Sequence, residues 1–313
     1  MMLPLASSAA EFAAVRRDEA LLRPGVDAIL AHHQVGGEVM RFADGSLPVY
    51  AIGETHVLKL YPPVYVAERE TEASVLAAIA GKLPIPTPRV EAIGEHTGWS
   101  YILMNRLRGE GLATAWPRIG EHDRERLLAE LGEALAALHS IRDPVLSTLA
   151  PSEWADFVAA QRASAVERQR AKGLDAAWLE QLPAFLDAVP LEVPAERVLL
   201  HTEVMREHLL VHESARGWEL SGLFDFEPAM CGAPEYELAA VGVFVSCGDP
   251  RLLRTLLGAY GYRDDSLDEA FARRMLAYAI VHRYSNLRWY LERLPPLEAP
   301  TLDALALRGW GTR

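Results

Sequence analysis

The sequence predicts an α+β protein with a small N-terminal lobe rich in antiparallel strands and a larger, mostly helical C-terminal lobe. Three observations lead to this prediction. The chain has 313 residues, more than one hydrophobic core usually accommodates. Short β-type runs separated by turns fill residues 38–60, whereas helical spacing dominates after Gly111. A β-like segment at 198–226 interrupts the helical part. We therefore expect lobes of residues 1–107 and 108–313.

The N-terminal lobe contains three predicted elements after its first turn, which is formed by Asp44-Gly45-Ser46. Residues 57–61 form a short apolar run with a lysine inside it, and residues 67–79 have helical spacing that ends at a glycine. Three prolines then force an extended connection. Residues 101–104 form a second apolar strand, which leads into a polar linker toward the C-terminal lobe.

The C-terminal lobe begins with a helix that carries leucines at three- and four-residue steps: Leu128, Leu131, Leu135 and Leu138. This spacing places all four on one face, which predicts burial against the rest of the lobe. A second long helix is predicted for residues 154–170.

Composition and charge narrow the function classes. Half of the residues are apolar and 24% are charged, as in an ordinary globular protein. The net charge of -12 argues against a nucleic-acid-binding protein and favours a cationic partner, although the same charge also serves solubility. Two cysteines are too few for a disulfide framework, and no apolar run approaches the roughly 20 residues of a membrane span. We therefore expect a cytoplasmic protein without membrane or nucleic-acid partners.

Two segments of the C-terminal lobe combine apolar strands with chemically active side chains. The first contains His201, Glu203, Arg206 and His208 directly after the apolar run Val198-Leu199-Leu200. The second is Leu223-Phe224-Asp225-Phe226-Glu227. A buried, unpaired carboxylate would be costly, so Asp225 at the end of an apolar strand indicates a cation partner, and Glu227 is placed to share it.

These segments resemble the aminoglycoside phosphotransferase family, including the hygromycin phosphotransferases, whose catalytic loop reads His-x-Asp-x-x-x-x-Asn and is followed by a metal-binding aspartate. The resemblance extends from about Gly36 to Tyr290 and includes the segments 137–139 and 232–239. It implies a bilobal protein-kinase-like fold, ATP or GTP as phosphoryl donor, and Mg²⁺ or Mn²⁺ as the metal. It leaves the nucleotide preference and the oligomeric state open.

The resemblance also implies a nucleotide site in the N-terminal lobe. Lys59 matches the nucleotide lysine and Glu72 the helix glutamate that pairs with it. Met104 and Arg106 lie at the hinge, where the resemblance implies contact with the nucleotide. Ser46 follows Gly45 in a turn that either covers phosphates with backbone N–H groups or is an ordinary turn. An internal lysine needs an anionic partner, and the alternative is a lysine that points to solvent.

The catalytic loop departs from the family pattern at two positions. Glu203 stands where the family has its catalytic aspartate, and His208 stands where it has the metal-binding asparagine. Glutamate still accepts a proton, and neutral imidazole suits manganese better than magnesium. The resemblance makes His208, Asp225 and Glu227 candidate metal ligands and Glu203 and His201 candidate catalytic residues. The alternatives are that His201 and His208 only form hydrogen bonds with the loop backbone and that Glu227 faces solvent. Arg206 is a candidate contact of the transferred phosphoryl group, with an exposed arginine as the alternative.

The leading hypothesis is an ATP- or GTP-dependent phosphotransferase acting on a hydroxyl of a small molecule, with a cationic aminocyclitol antibiotic, and hence antibiotic resistance, as one candidate. Its alternative is a degenerate kinase fold that binds a nucleotide or metabolite without turnover. A third hypothesis assigns His201, Glu203 and His282 to an iron oxygenase. The C-terminal residues Arg283, Tyr284, Trp289 and Tyr290 either form a wall of the substrate site or pack in the core.

Overall fold

The computed structural model describes residues 2–43 and 45–313 and divides into two compact units. The first unit extends to Gly81 and adds Pro86–Arg108 and Gly222–Pro228. The second unit comprises Lys82–Ile85, Gly109–Ser221 and Ala229–Arg313. The short segment 222–228, which sequence analysis places in the C-terminal lobe, therefore clusters with the first unit.

The first unit is a five-stranded antiparallel sheet with three helices. The helices are α1 (Ala9–Val15), α2 (Glu19–His32) and α3 (Val66–Ile79), and the strands are β1 (Val39–Arg41), β2 (Val49–Ile52), β3 (His56–Tyr61), β4 (Val90–His96) and β5 (Trp99–Asn105). The strand order is β1-β2-β3-β5-β4, and every neighbouring pair is antiparallel. Asp44, in the predicted first turn, lies outside the described residues.

Strand β3 occupies the middle of this sheet, which explains the burial of its lysine. The chain reverses between β2 and β3 at Gly53, whose φ of 53° is a conformation that other residues rarely adopt. Lys59 faces Val49 of β2 and Ile102 of β5 in the strand register. Leu58 and Leu60 on either side are fully buried. Successive side chains of a strand alternate between the faces of the sheet, so Lys59 lies on the opposite face from Leu58 and Leu60, where it is 5% exposed.

The second unit is mainly helical and carries two small sheets. Its helices are α4 (Leu112–Ala115), α5 (Glu121–His139), α6 (Trp154–Ala171), α7 (Ala176–Leu179), α8 (Leu182–Ala188), α9 (Pro234–Phe244), α10 (Pro250–Tyr260), α11 (Glu269–Val281), α12 (Leu287–Arg293) and α13 (Leu302–Trp310). Its strands are β6 (Glu110–Gly111), β7 (Val198–Leu200), β8 (Leu209–Ser214), β9 (Gly217–Leu223) and β10 (Met230–Gly232). The sheets have the orders β10-β7 and β6-β8-β9. No helix among residues 2–43 and 45–313 is long and apolar enough to cross a membrane.

The leucine face predicted from the sequence is the buried face of α5. All four leucines are at most 1% exposed. The same helix packs against α10 at Gly132, where a Cβ would lie 2.3 Å from the carbonyl oxygen of Leu256. A side chain larger than that of glycine would clash with α10 here, so Gly132 permits the close α5–α10 contact. The predicted α+β fold class, with a strand-rich N-terminal part and a helical C-terminal part, is confirmed.

Candidate phosphotransferase site

Lys59 is the centre of a buried charge cluster in the first unit. Its Nζ lies 2.8 Å from Oε2 of Glu72, 2.5 Å from Oδ1 of Asp225 and 2.5 Å from Oε2 of Glu227. The lysine side chain is only 7% exposed. The predicted pairing of Lys59 with Glu72 is present, and the alternative of a solvent-facing lysine is wrong.

The carboxylate of Glu72 is held by groups other than the lysine. It projects from α3 and is 1% exposed. The hydroxyl of Tyr61 donates a hydrogen bond to it, and the backbone N–H of Phe226 donates to its other oxygen at 3.3 Å. Tyr61 was not predicted as a site residue, although it follows Lys59 by two positions and so lies on the same face of β3. Glu72 thus joins β3, α3 and segment 222–228.

Asp225 adopts a backbone conformation that few residues other than glycine tolerate. Its φ is 74°, in the left-handed region, directly after β9 has ended at Leu223. Such conformations cost about 1–3 kcal/mol and concentrate at functional sites. Here the turn directs the carboxylate to Lys59, and it explains why 222–228 clusters with the first unit.

In this cluster, burial and the attraction between opposite charges shift the pKa values in opposite directions. Burial lowers the pKa of Lys59, but the carboxylates of Asp225 and Glu72 raise it by more, so the lysine pKa lies well above its ordinary value. Burial raises the pKa of Glu227 to about 7, and the attraction of Lys59 opposes this rise only in part. The cluster therefore contains one ammonium group and three carboxyl groups, and its net charge is negative near neutral pH.

Three of these side chains fit a divalent cation. One carboxylate oxygen each from Glu72, Asp225 and Glu227 lie within 4.8 Å of one another. Carboxylate oxygens are the ligands that Mg²⁺ and Mn²⁺ prefer. Oε2 of Glu227 is buried and lies 2.5 Å from Nζ of Lys59, which is its cation partner in this structure. The chemistry of the donor set fits a divalent cation, and the assignment of Asp225 and Glu227 as metal ligands stays a prediction.

The remaining predicted nucleotide residues lie at different places in the first unit. Ser46 is exposed, and its hydroxyl donates to Glu227 at 3.4 Å. Met104 is 4% exposed in β5, opposite Val57 of β3. The guanidinium of Arg106 donates to the carbonyl of Gly53 at 2.5 Å, so it fastens the hinge strand to the β2–β3 turn. A direct nucleotide contact of Ser46, Met104 or Arg106 stays a prediction.

In the second unit, the loop after β7 is held by a buried carboxylate that was not predicted as a site residue. Glu237 accepts hydrogen bonds from the backbone N–H groups of His201, at 2.5 Å, and Thr202, at 3.0 Å. Thr202 has a φ of 73°, which turns its N–H toward the same acceptor. His201 is fully buried. Glu237 therefore defines the course of the loop immediately before Glu203.

Glu237 remains ionised in spite of its complete burial. Burial raises its pKa, but the nearby rings of His139 and His201 and the N–H of Thr202 lower it further, so the net pKa lies below the ordinary value. His139 Nε2 lies 3.9 Å away, and its Nδ1 is 2.7 Å from the hydroxyl of Tyr260. A sequence signal exists, because Glu237 directly precedes the apolar run Leu238–Phe244 of α9.

Glu203 and His208 are linked through the backbone of the loop. The Glu203 N–H donates to Nδ1 of His201 at 3.3 Å, and Nδ1 of His208 lies 2.8 Å from the carbonyl oxygen of Glu203. A carbonyl only accepts, so Nδ1 of His208 carries a proton. In the neutral ring Nε2 is then the basic nitrogen, which is the form that binds metals.

Arg206 is anchored within the second unit. Its Nε and Nη2 donate to the carbonyl oxygen of Val245 at 2.9 and 2.6 Å, and its guanidinium lies 3.5 Å from the ring centre of Trp116. These contacts hold the 3₁₀ turn Arg206–His208 in place. They give Arg206 a loop-supporting function, and its contact with a phosphoryl group stays a prediction.

A narrow cleft opens beside Glu203 within the second unit. Its lining includes Thr202, Phe244, His282 and the three aromatic residues proposed from sequence as a substrate wall, Tyr284, Trp289 and Tyr290. The cavity volume is about 40 Å³. Arg283, the fourth residue of that wall, is not among the lining residues, but its guanidinium donates to Oγ1 of Thr202 at 3.3 Å.

His282 does not have the free ring nitrogen that an iron site requires. Its Nε2 lies 3.1 Å from the carbonyl oxygen of Thr202, and its Nδ1 accepts from the N–H of Tyr284 at 3.3 Å. Both nitrogens are engaged, and the ring stacks on Tyr236 at 4.5 Å. The iron-oxygenase hypothesis is therefore not supported by this arrangement.

The two units contain the kinds of side chain that kinase-like phosphoryl-transfer proteins use. These are a buried lysine paired with a helix glutamate, two carboxylates after the end of a strand, and a loop glutamate beside a cleft. The profile of the phosphotransferase enzyme family matches residues 38–274, about three quarters of the chain. The chain belongs to this family, whose members are small-molecule phosphotransferases. No curated protein sequence matches it significantly.

Solved structures share the fold at low sequence identity. The GDP complex of wild-type aminoglycoside 2'-phosphotransferase-IIIa is 16% identical, with a TM-score of 0.71 over 92% of this chain and 97% of that one. The ternary complex of streptomycin, ATP and APH(2")-IIa is 14% identical, with a TM-score of 0.62 over 82% and 89%. The apoenzyme of macrolide 2'-phosphotransferase MphH from Brachybacterium faecium is 19% identical, with a TM-score of 0.60 over 90% and 99%.

Proposed function

We propose that the protein transfers the γ-phosphoryl group of ATP or GTP to a hydroxyl of a small molecule. The observation that carries this proposal is the buried Lys59, paired with Glu72 and with the carboxylates of Asp225 and Glu227. A lysine, carboxylates for a divalent cation and a proton acceptor are the parts that phosphoryl transfer requires. Similar structures with bound GDP or ATP support the choice of nucleotide.

The residues of the first unit would hold the nucleotide. Asp225 and Glu227 would bind the divalent cation, which supplies charge neutralisation on the phosphates when it is bound. With Asp225 and Glu227 engaged in this way, the ammonium group of Lys59 would donate hydrogen bonds to phosphate oxygens. Glu72 keeps the lysine ionised and directed throughout, because it is itself held by Tyr61 and Phe226.

The residues of the second unit would act on the acceptor. Glu203 would accept the proton of the acceptor hydroxyl. The oxygen of that hydroxyl would form a bond to the γ-phosphorus while the bond from this phosphorus to the leaving nucleoside diphosphate breaks. The hydrogen bonds of His201 and His208 to the backbone of Glu203 orient the loop, and Glu237 holds it from behind. His208 Nε2 is the proposed additional metal ligand.

The second candidate function is nucleotide or metabolite binding without turnover. Two replacements in this chain favour it, since Glu203 is longer by one methylene than the family's aspartate and His208 replaces an asparagine. A misplacement of about 1 Å can lower a rate by roughly a hundredfold. Aminoglycoside and macrolide kinases share this fold, so acceptors of both kinds belong in the assay.

The proposal is tested first by nucleotide binding. Fluorescent ATP and GTP analogues are titrated against the wild type, Lys59→Ala and the control Lys172→Ala, which alters an exposed lysine. Loss of the charged hydrogen bonds should weaken affinity in Lys59→Ala by about 10- to 100-fold, with an unchanged circular dichroism spectrum and no change in the control. Unchanged affinity in Lys59→Ala would contradict the proposal.

Nucleotide consumption then separates the two candidates. The wild type is incubated with ATP or GTP, Mg²⁺ or Mn²⁺, and a panel of hydroxylated acceptors. Acceptor-dependent release of nucleoside diphosphate supports a phosphotransferase. Tight nucleotide binding without acceptor-dependent release under any of these conditions supports the binding protein.

A further inference from the structure

The cleft beside Glu203 has an aromatic lining. Phe244, Tyr284, Trp289 and Tyr290 contribute rings, and alanine and valine side chains from α9 and α11 complete much of the surface. Tyr284 is 52% exposed and Trp289 36% exposed, although both are large hydrophobic residues. Exposed rings at the lining of a cleft are typical of a binding surface for a flat or apolar ligand.

The charge of this cleft is unsuited to a polycation. Among the described residues that line it, Glu203 is the only one with a carboxylate. Burial lowers the pKa of His282 to about 4, so this ring is neutral at physiological pH. A ligand with several ammonium groups would lose their hydration here without carboxylates to replace it.

Two guanidinium groups contact the same aromatic residues, and the charge of one of them is offset by a carboxylate. The guanidinium of Arg283 lies 4.8 Å from the ring centre of Tyr284. That of Arg293 lies 4.9 Å from the ring centre of Trp289 and is paired with Glu207 at 2.7 Å. An ammonium group that approached these rings would meet cations that already interact with them. The local field thus differs from the net charge of -12, from which a cationic substrate was predicted.

The size of the cleft limits what reaches Glu203. A volume of about 40 Å³ holds one slim arm, such as a hydroxymethyl group or one edge of a sugar ring, and no drug-sized molecule. The rest of the acceptor must remain outside this volume. Tyr284 and Trp289 are the exposed rings available to it, and ring stacking there would fix its orientation.

Building on the proposed function, we infer that the acceptor is an uncharged alcohol with a flat or apolar body and a slim hydroxyl-bearing end, and that a polycationic aminoglycoside is a poor substrate. The hydroxyl-bearing end enters the cleft beside Glu203, and the body packs against Trp289 and Tyr284. The aromatic surface favours acceptors with a flat or apolar body, and the low number of carboxylates disfavours acceptors that carry positive charge.

Four acceptor probes separate these features. Phenyl β-D-glucopyranoside has both the apolar body and the uncharged hydroxyls. Methyl β-D-glucopyranoside lacks the aromatic body, phenyl 2-amino-2-deoxy-β-D-glucopyranoside adds one ammonium group, and kanamycin is a polycation. Binding to the wild type is measured by isothermal titration in the presence of the nucleotide, and phosphoryl transfer to each probe is followed by mass spectrometry.

We expect the phenyl glucoside to bind about tenfold more tightly than the methyl glucoside or the amino analogue, and kanamycin to bind most weakly. Trp289→Ala should reduce the affinity for the phenyl glucoside by about 3- to 10-fold and remove its advantage over the methyl glucoside. Trp289→Phe should retain most of that advantage because it keeps a ring. Leu307→Ala, which shortens an exposed leucine on α13, is the control and should behave like the wild type.

Tighter binding of kanamycin or of the amino analogue overturns the inference, as does failure of the phenyl glucoside to bind or an unchanged preference in Trp289→Ala. The separate titration of nucleotide without any acceptor distinguishes this failure from failure of the proposed function. If nucleotide binds with dependence on Lys59 but these preferences are absent, only the acceptor class is wrong. If nucleotide does not bind, the phosphotransferase proposal fails first.

Discussion

The charge cluster around Lys59 and the loop around Glu203 use buried carboxylates in different ways. In the first unit, Glu72, Asp225 and Glu227 all face one ammonium group. In the second unit, Glu237 faces backbone N–H groups. The first arrangement consists of ion pairs between side chains, in which the phosphates of a nucleotide and a metal ion can replace the present partners. The second is held by main-chain hydrogen bonds that no ligand replaces.

This difference indicates a division between exchangeable and permanent interactions. Lys59 has three carboxylate partners, so Glu72 would still pair with it if Asp225 and Glu227 bound a metal ion. The amides of His201 and Thr202 share the single acceptor Glu237, so loss of that carboxylate leaves buried donors unsatisfied. We therefore expect mutations in the first cluster to affect ligand binding and those behind the loop to affect stability.

The largest effect is expected for the proposed proton acceptor. Glu203→Gln keeps the shape of the side chain and removes its ability to accept a proton, so turnover should fall by about 10²–10⁴-fold while nucleotide affinity is spared. Glu203→Asp should be tolerated better. Steady-state kinetics with the best acceptor provides the measurement, and a glutamine variant as fast as the wild type would show that Glu203 is not the base.

Replacement of the loop anchor should give the next largest effect. Glu237→Ala leaves the N–H groups of His201 and Thr202 without their acceptor, and we expect the free energy of unfolding to fall by roughly 4 kcal/mol. Urea denaturation checks this value. Glu133→Ala, at an exposed position of α5, is the control and should unfold like the wild type. If Glu237→Ala lowered the free energy of unfolding as little as Glu133→Ala does, the loop would be held by other contacts.

The pH dependence of stability should reveal the neutral histidine behind the loop. Burial lowers the pKa of His282 to about 4, whereas in the unfolded chain the value is near 6.5. Its contribution to stability is therefore complete above pH 6.5 and is lost as the pH falls through 4. The difference between the two values corresponds to about 3 kcal/mol.

His282→Gln should consequently show a shallower decrease in the free energy of unfolding between pH 7 and pH 4 than the wild type. The matched control is His212→Gln, which changes a histidine whose side chain is 46% exposed. Parallel pH profiles for the wild type and His282→Gln would disprove the assignment of a buried neutral histidine.

The smallest effect is expected for the metal preference. Neutral imidazole is a softer ligand than an amide oxygen and suits Mn²⁺ better than Mg²⁺, so Mn²⁺ should support turnover at least as well as Mg²⁺ in the wild type. His208→Asn should shift this ratio toward Mg²⁺ by about a fewfold. Activity assays at matched metal concentrations test this, and a clear superiority of Mg²⁺ together with no effect of His208→Asn would remove His208 from the ligand set.

Local sequence patterns predicted the elements that carry the first cluster. The helix predicted at residues 67–79 is α3 (Val66–Ile79), and the lysine strand and its partner strand are β3 and β5. Leu128 and its neighbours predicted the buried face of α5. Such patterns succeed because burial repeats with the period of the helix or strand, over distances that a few residues span. The helices α1 and α2 were not predicted.

Residue type and local spacing in the sequence determined the fold class, and the resemblance to a known family indicated the lysine with its glutamate and the loop with its two unusual residues. Only the tertiary structure showed that Glu237 binds amides 35 and 36 positions earlier and that Asp225 clusters with the first unit. It also showed that the cleft beside Glu203 is poor in carboxylates within an acidic protein. Net charge is a sum over the whole chain, whereas a ligand experiences the few groups that folding brings around it.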